Sequence, residues 1–341
     1  MKKSLIALAV LAASGAAMAQ SSVTLFGVVD AGYAVGKGAT NKTQLATDRI
    51  GSSRLGFRGV EDLGGGMRAE FWLEAGVNND SGAGANTNTN NQATGATTSG
   101  LTFNRKSTVG LVGSMGEIRL GRDYSPQFYP DAQYDPFGTN GVASSLIAYG
   151  GGFAAVRASN MVAYHSPNVG GFTVMLGSYM GENNTGAAAG KAGDGNGIHV
   201  RYAKGPLALG IASATTKTGL TTEVKTSTMG GSYNLGVANV MFNSNTVSNT
   251  GAADIKGTLI GAAIPMAGGT FKLSNASLKQ GAAETKRNAI GYVKPLSKRT
   301  SLFATYARNG NSGGAARGLN GATVNANQSS TGYDLGVNHT F

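Results

Sequence analysis

The sequence contains no cysteine. Disulfide cross-links, thiolate metal sites, cysteine nucleophiles and haem attachment through C-x-x-C-H are therefore excluded. Histidine is scarce: His165, His199 and His339 are scattered and offer no metal-binding spacing. Charged residues make up only 13% and prolines number 7. Beyond residue 20 no apolar run approaches the roughly 20 residues of a transmembrane helix. No sustained helical period, no G-x-G-x-x-G between a strand and a helix, and no phosphate loop is found. Nothing in the sequence points to a cofactor or a metal.

Glycine is abundant, at 54 residues, and much of the remainder is Ala, Thr, Asn, Ser and Val. Met1, Lys2 and Lys3 form a short basic segment, Ser4–Ala13 an apolar one, and Ala17-Met18-Ala19 a small-x-small cleavage site. Together they predict a secretory signal peptide over residues 1–19, with the mature chain, a single domain of residues 20–341, starting at Gln20. Loss of Lys2 and Lys3 lowers the formal net charge from +11 to +9. The export signal argues against nucleic acid as the partner of this basic chain, and a positive sum suits a passage that favours anions.

Alternating segments of eight to twelve residues recur from residue 22 to the end. In Met67–Glu74, Met67, Ala69, Phe71 and Leu73 share one face, and Arg68, Glu70, Trp72 and Glu74 the other. Near-neutral hydropathy then fits a wall with its apolar face in lipid and its polar face around water. About sixteen strands are predicted, near 22–34, 49–59, 66–77, 102–112, 115–122, 159–166, 170–180, 196–204, 206–216, 224–234, 235–245, 253–263, 268–278, 285–294, 299–308 and 331–341. Short connectors such as Asp62–Gly65 and Gly113–Gly116 alternate with long ones, roughly 78–101, 123–158, 181–195 and 309–330. The expected fold is all-β: a closed antiparallel transmembrane barrel, which leaves no backbone group unpaired in hydrocarbon. Tyr33, Tyr164, Tyr179, Tyr202, Tyr233, Tyr292 and Tyr306, near strand ends, are expected in interfacial girdles.

Parity places the lumen-facing charges. With Leu55 and Phe57 toward lipid, Arg54, Gly56 and Arg58 face inward, as does Glu74 on the next strand. Arg105 shares parity with the apolar Val109 and Leu111, so a bulge or a loop position is needed to turn it inward. For Arg157, just before a strand, parity says little. Residues 123–158 are too long for an ordinary connection and call for a functional account. The segment holds Asp123, Asp131 and Asp135, and its stretch from Leu146 to Gly152 is small and apolar, suited to packing on the wall.

The segments Ser21–Asp30 (SSVTLFGVVD), Ser53–Gly66 (SRLGFRGVEDLGGG), Val109–Leu111, Gly116–Tyr124 (GEIRLGRDY) and Ser166–Phe172 (SPNVGGF) resemble the general porins of beta-proteobacteria, as does the last strand. That strand puts Tyr333, Leu335, Val337, His339 and Phe341 on one face, and its terminal Phe341 resembles the signal read by the barrel assembly machinery. The resemblance implies a homotrimer of sixteen-stranded barrels in the outer membrane, with lipid and lipopolysaccharide around it. It implies a third outer loop, here 123–158, folded into the lumen as a constriction. It also implies arginines facing that loop, at positions matching Arg54, Arg105 and Arg157, with Glu74 near them. Arg58, Arg122, Asp123, Asp131 and Asp135 complete the expected set. The function so implied is passive diffusion of small hydrophilic solutes with a preference for anions. A substrate-specific channel, a barrel-borne enzyme and a non-conducting adhesin remain open at this level.

Overall fold

The computed structural model describes residues 22–92, 97–98, 100–145, 154–184, 186–187 and 190–341. The expected signal peptide and the stretch from Leu146 to Gly152 lie outside the described residues. Sixteen strands form the wall: β1 (Ser22–Lys37), β2 (Lys42–Thr47 and Arg54–Gly64), β3 (Met67–Asn78), β4 (Lys106–Gly113), β5 (Gly116–Tyr124), β6 (Arg157–His165), β7 (Phe172–Tyr179) and β8 (Gly195–Lys204) make the first half. The second half is β9 (Leu207–Lys217), β10 (Glu223–Asn234), β11 (Asn239–Asn249), β12 (Ile255–Met266), β13 (Gly269–Gln280), β14 (Ala283–Pro295), β15 (Thr300–Ser312) and β16 (Ser330–Thr340). Each pairs antiparallel with its chain neighbours. Closure comes from β16 against β1, from Val28 opposite Thr340 to Lys37 opposite Thr331. The backbone of Phe341 exchanges two hydrogen bonds of 3.1 Å with Gly27 and extends this seam by one residue pair.

Side chains alternate across the wall as the pleat demands. On β1, Val23, Leu25, Val29 and Tyr33 are exposed outward, whereas Asp30 and Ala34 are fully buried inside. Tight turns gather at one end. Gly64, Gly65 and Gly66 all have positive φ, a run that residues with a Cβ rarely sustain. The long connections gather at the other end, which in such barrels is the outer side. Outward-facing rings flank the short turns: Phe172 lies 4.7 Å from Tyr202 and Phe271 lies 4.6 Å from Tyr292, centroid to centroid. Tyr33, Tyr164, Tyr233 and Tyr306 are exposed as a girdle requires. Tyr179 is not: it is buried on the inner face, its hydroxyl 2.6 Å from Thr216 Oγ1.

Two strands depart from the sequence-based expectation. The second, expected at 49–59, is broken over residues 48–53. The carboxylate of Asp30 accepts the backbone N–H groups of Arg49, Ile50 and Gly51 at 2.6, 3.1 and 3.0 Å, bonds a continuous ladder would have used. The eleventh, expected at 235–245, runs from Asn239 to Asn249 because 235–238 forms a turn. There Asn234 Oδ1 accepts the Gly236 N–H at 2.8 Å, with φ +83° at the glycine.

Candidate functional site

The strand break delivers the first surprise inside the barrel. Asp48 takes φ +62°, and the chain after it turns Arg49 into the lumen. Arg54 follows on the inner face of β2. Diagonally across, Glu74 on β3 accepts Arg54 Nη1 at 3.3 Å, Arg105 Nε at 2.5 Å and Trp72 Nε1 at 3.1 Å. Arg105 stands one residue before β4, where its N–H pairs with the Glu74 carbonyl at 3.1 Å. It thus takes the loop position that parity required, and its side chain is 8% exposed.

Arg157 opens β6 ahead of a bulge. The register slips between Ala158 and Met161, and Asn160 adopts φ +57°. The guanidinium lies 4.6 Å from the Tyr124 ring centroid, and Nη2 donates to the Tyr124 hydroxyl at 3.1 Å. Arg54, Glu74, Arg105, Tyr124 and Arg157 therefore form one continuous polar ladder across the inner wall.

Facing this ladder is the segment after β5. It contains α1 (Phe128–Gln133) and then a turn-rich stretch to Ser145. A cavity of about 630 Å³ lies between them. Arg49, Arg54, Arg105 and Arg157 line its wall side, and Phe128, Ala132, Gly138–Gly141 and Ser144 the other. Asp48 is the acid in that lining.

The segment is tied down by wall residues. Asp334 Oδ2 accepts the Val142 N–H at 2.8 Å, and Arg287 Nη1 donates to the Ser144 carbonyl at 2.7 Å. Phe137 packs with Val142, Ala143, Ala289, Ala307 and Leu319. Wall glycines make room for its rings: a Cβ built on Gly261 would meet Pro136 at 2.5 Å, and one on Gly230 would meet Tyr134 at 2.5 Å.

The two aspartates of this segment turn away from the cavity. Asp135 caps its own turn, accepting the N–H groups of Phe137, Thr139 and Ser145 at 2.8, 2.9 and 3.2 Å. Asp131 is 2% exposed beside Asn243 and Asn245 of β11, with Oδ2 unbonded among the described residues. Burial pushes its carboxyl well above the usual range, with Asp135 adding repulsion and the asparagines acting in the opposite sense. A carboxyl that holds its proton more tightly when docked stabilises docking at acid pH, and this is lost as pH rises through the docked-state pKa. Asp131→Asn, isosteric and uncharged, is expected to flatten the dependence of the thermal unfolding midpoint on pH; an unchanged slope would show that Asp131 ionises freely.

The other expected residues lie elsewhere. Asp123 is bound on the inner wall by Lys106 Nζ at 3.1 Å and Arg119 Nη1 at 2.5 Å. Arg58 sits four residues below Arg54, toward the short turns, with its guanidinium 5.5 Å from the Phe26 centroid and 5.3 Å from that of Trp72. Arg122 shares parity with the exposed Ile118 and Leu120 and so faces outward. It donates to the carbonyls of Asn104 and Asn88 at 2.6 and 3.2 Å and to Ser159 Oγ at 2.7 Å, pinning the 79–105 loop. Arg122→Ala is expected to speed proteolysis of that loop while leaving ion selectivity unchanged, as digestion and bilayer recordings on one preparation can show.

Sequence reasoning missed Arg49, Tyr124 and Arg287. The break that turns Arg49 inward depends on Asp30, nineteen residues earlier. Among the described residues no group of three His, Asp or Glu side chains is placed to hold a metal ion.

A closed sixteen-stranded barrel with an apolar outer face, a polar interior and an arginine-lined cavity defines an outer-membrane channel protein. A family model described as Gram-negative porin matches residues 5–314, and the chain belongs to that family. It is 40% identical over 365 residues to outer membrane porin protein 32 of Delftia acidovorans, with 100% of both chains covered. It is 29% identical over 380 residues to an outer membrane porin protein of Bordetella pertussis, covering 91% of this chain and 95% of that one. Among solved structures, the anion-selective porin from Comamonas acidovorans superposes with a TM-score of 0.83 at 34% identity, covering 94% of this chain and 100% of the other. The protein is thus an outer-membrane porin that forms a diffusion channel.

Proposed function

We propose that the channel prefers anions, and that the 123–158 segment with Arg49, Arg54, Arg105 and Arg157 forms its constriction. The observation that carries this reading is the lining of the cavity, four guanidinium groups against the single carboxylate of Asp48. Glu74, beside it, is itself held by two of the arginines. Positive charge along a narrow water path lowers the barrier for anions and raises it for cations. The Comamonas acidovorans porin, anion-selective by its description, has the same fold at 34% identity. The sign of the reversal potential in a salt gradient across a planar bilayer is the direct test: anion preference is expected, and a cation-side potential would overturn it.

The finer assembly belongs to the same reading. Residues 1–19 act as a cleaved signal peptide, so N-terminal sequencing of the outer-membrane form should begin at Gln20. The mature barrel works as a homotrimer, measurable as the mass of the detergent-solubilised protein. The exposed Phe341 face of β16 serves recognition by the assembly machinery, and lipopolysaccharide surrounds the outer half. Solutes are small and hydrophilic, and no step of bond chemistry is required.

A further inference from the structure

Ser159 sits where β6 carries one residue more than the ladder to β5 can pair. Ala158 is opposite Asp123 and Met161 opposite Gly121, so Ser159 and Asn160 share the place facing Arg122. A bulge of this kind leaves its extra residue outside the ladder. Ser159 is nevertheless only 5% exposed, and buried backbone groups need partners. One side chain of the 79–105 loop supplies both. Asn91 Oδ1 accepts the Ser159 N–H at 2.8 Å, and Asn91 Nδ2 donates to the Ser159 carbonyl at 3.0 Å. The same Nδ2 donates to the Met180 carbonyl at 3.3 Å, one residue past the end of β7. The amide stands in for the strand partner that the bulge displaces.

The loop is folded to present this amide. Asn88 Oδ1 accepts the N–H groups of Asn90 and Asn91 at 3.3 and 2.8 Å, and Asn88 Nδ2 donates to the Gln92 carbonyl at 2.8 Å. Gln92 Nε2 fastens the turn to the Gly181 carbonyl and to Asn183 Oδ1, both at 3.0 Å. Asn91 has φ +60°, and Asn160 holds φ +57° while its Nδ2 donates to the Thr89 carbonyl at 3.1 Å. Asparagine enters this left-handed region more readily than most residues with a Cβ.

The bulge decides what Arg157 faces. With it, Arg157 is the Cα partner of Tyr124, whose ring and hydroxyl it engages. In a regular ladder Asn160 would face Arg122, Ser159 would face Asp123 and Ala158 would face Tyr124. Arg157 would then move one residue on, to face Ser125. That step is about 3.4 Å, enough to take the guanidinium off the Tyr124 hydroxyl.

We propose that Asn91 is a positioning residue for the constriction: by holding the β6 bulge it fixes Arg157 against Tyr124. The 79–105 loop is thereby coupled to ion preference, a consequence that rests on the selectivity reading of Arg157. Arg122 touches the bulge at the Ser159 hydroxyl and not at its backbone, so its loss loosens the loop and leaves the clamp in place.

The full mature porin has no cysteine, which allows the register to be read directly by cross-linking. Antiparallel Cα partners stand about 4.5–5.5 Å apart, within disulfide range. Tyr124→Cys with Arg157→Cys should therefore cross-link under mild oxidation far more completely than Ser125→Cys with Arg157→Cys. Adding Asn91→Gly keeps the backbone angle and removes the three hydrogen bonds of the clamp. The ratio of the two yields should then fall at least about tenfold. In planar bilayers, Asn91→Gly alone should move the reversal potential toward zero as far as Arg157→Gln does. Deleting Asn160 makes β6 regular and still leaves Arg157 opposite Tyr124, so in that background Asn91→Gly should change neither readout. An unchanged cross-linking ratio would overturn the proposal, as would a full Asn91→Gly effect after the deletion. So would a reversal potential that responds to Arg157→Gln and not to Asn91→Gly. If the ratio falls while Arg157→Gln leaves the potential unchanged, the placement of Arg157 by Asn91 is upheld and the selectivity reading is what fails.

Discussion

Replacing Arg54, Arg105 and Arg157 together by glutamine is expected to remove most of the anion preference and bring the reversal potential close to zero. Charge bookkeeping sets the size of the effect. The cavity wall carries four guanidinium groups, and three are lost. A unit charge 4 Å from a passing ion contributes about 1 kcal/mol in bulk water and more where low-dielectric walls confine the path. Three such terms are enough to bring the ratio of permeabilities close to one. The wild-type preference should itself shrink as salt is raised, since the screening length falls from about 10 Å at 0.1 M to about 3 Å at 1 M. Arg105 differs from the other two. It is 8% exposed and bonded to Glu74, also 8% exposed, so removing it alone leaves a buried carboxylate with one cationic partner, Arg54 at 3.3 Å, and the neutral Trp72 Nε1 at 3.1 Å. Breaking a buried pair in this way costs about 3–5 kcal/mol. The Glu74→Gln, Arg105→Gln double variant restores neutrality and separates selectivity from stability. A triple variant that kept the wild-type ratio would show that the arginines do not set it.

Gly230→Leu is expected to lower single-channel conductance. A Cβ at position 230 would stand 2.5 Å from Tyr134 Cδ2 and 3.0 Å from the Phe242 carbonyl oxygen, so the wall cannot yield and the loop must. Overpacking of this kind costs about 1–3 kcal/mol. The loop's least costly escape is away from β10 and into the water path, because Asp334 and Arg287 still hold it further along. The same change at Gly310, whose Cβ would have only the Lys286 carbonyl oxygen near it, at 4.0 Å, serves as a control. If both variants conduct as the wild type does, the loop does not shape the path. This contact also gives a physical reason for glycine on inner wall positions: the wall leaves room for Tyr134, Pro136 and Phe137.

Where residues were legible from sequence, a local rule governed them. Arg54 and Glu74 sit in regular strands, and alternation with Leu55, Phe57 and Leu73 puts them on the inner face, where the structure has them. Arg105 is legible as a conflict: its parity is wrong, and only a loop position resolves that. Arg122 departs from expectation for the opposite reason. Placing it among the lumen charges overrides a parity that matches Ile118 and Leu120, and the structure keeps to the parity. Asp131 and Asp135 illustrate a different limit. That the long segment is acidic can be read directly, but not that Asp135 caps its own turn and Asp131 is buried against β11.

By itself the sequence determined the strands, the face each presents and the closure of the wall, because a period of two residues, tight glycine turns and the need to pair every backbone group in lipid are properties of short stretches. The tertiary structure alone decided what meets inside. Arg49 enters the lumen because a carboxylate nineteen residues away captures its N–H, and the docked segment lies where wall glycines, Asp334 and Arg287 receive it. Such positions arise from contacts between residues far apart in the chain, and no periodicity encodes them.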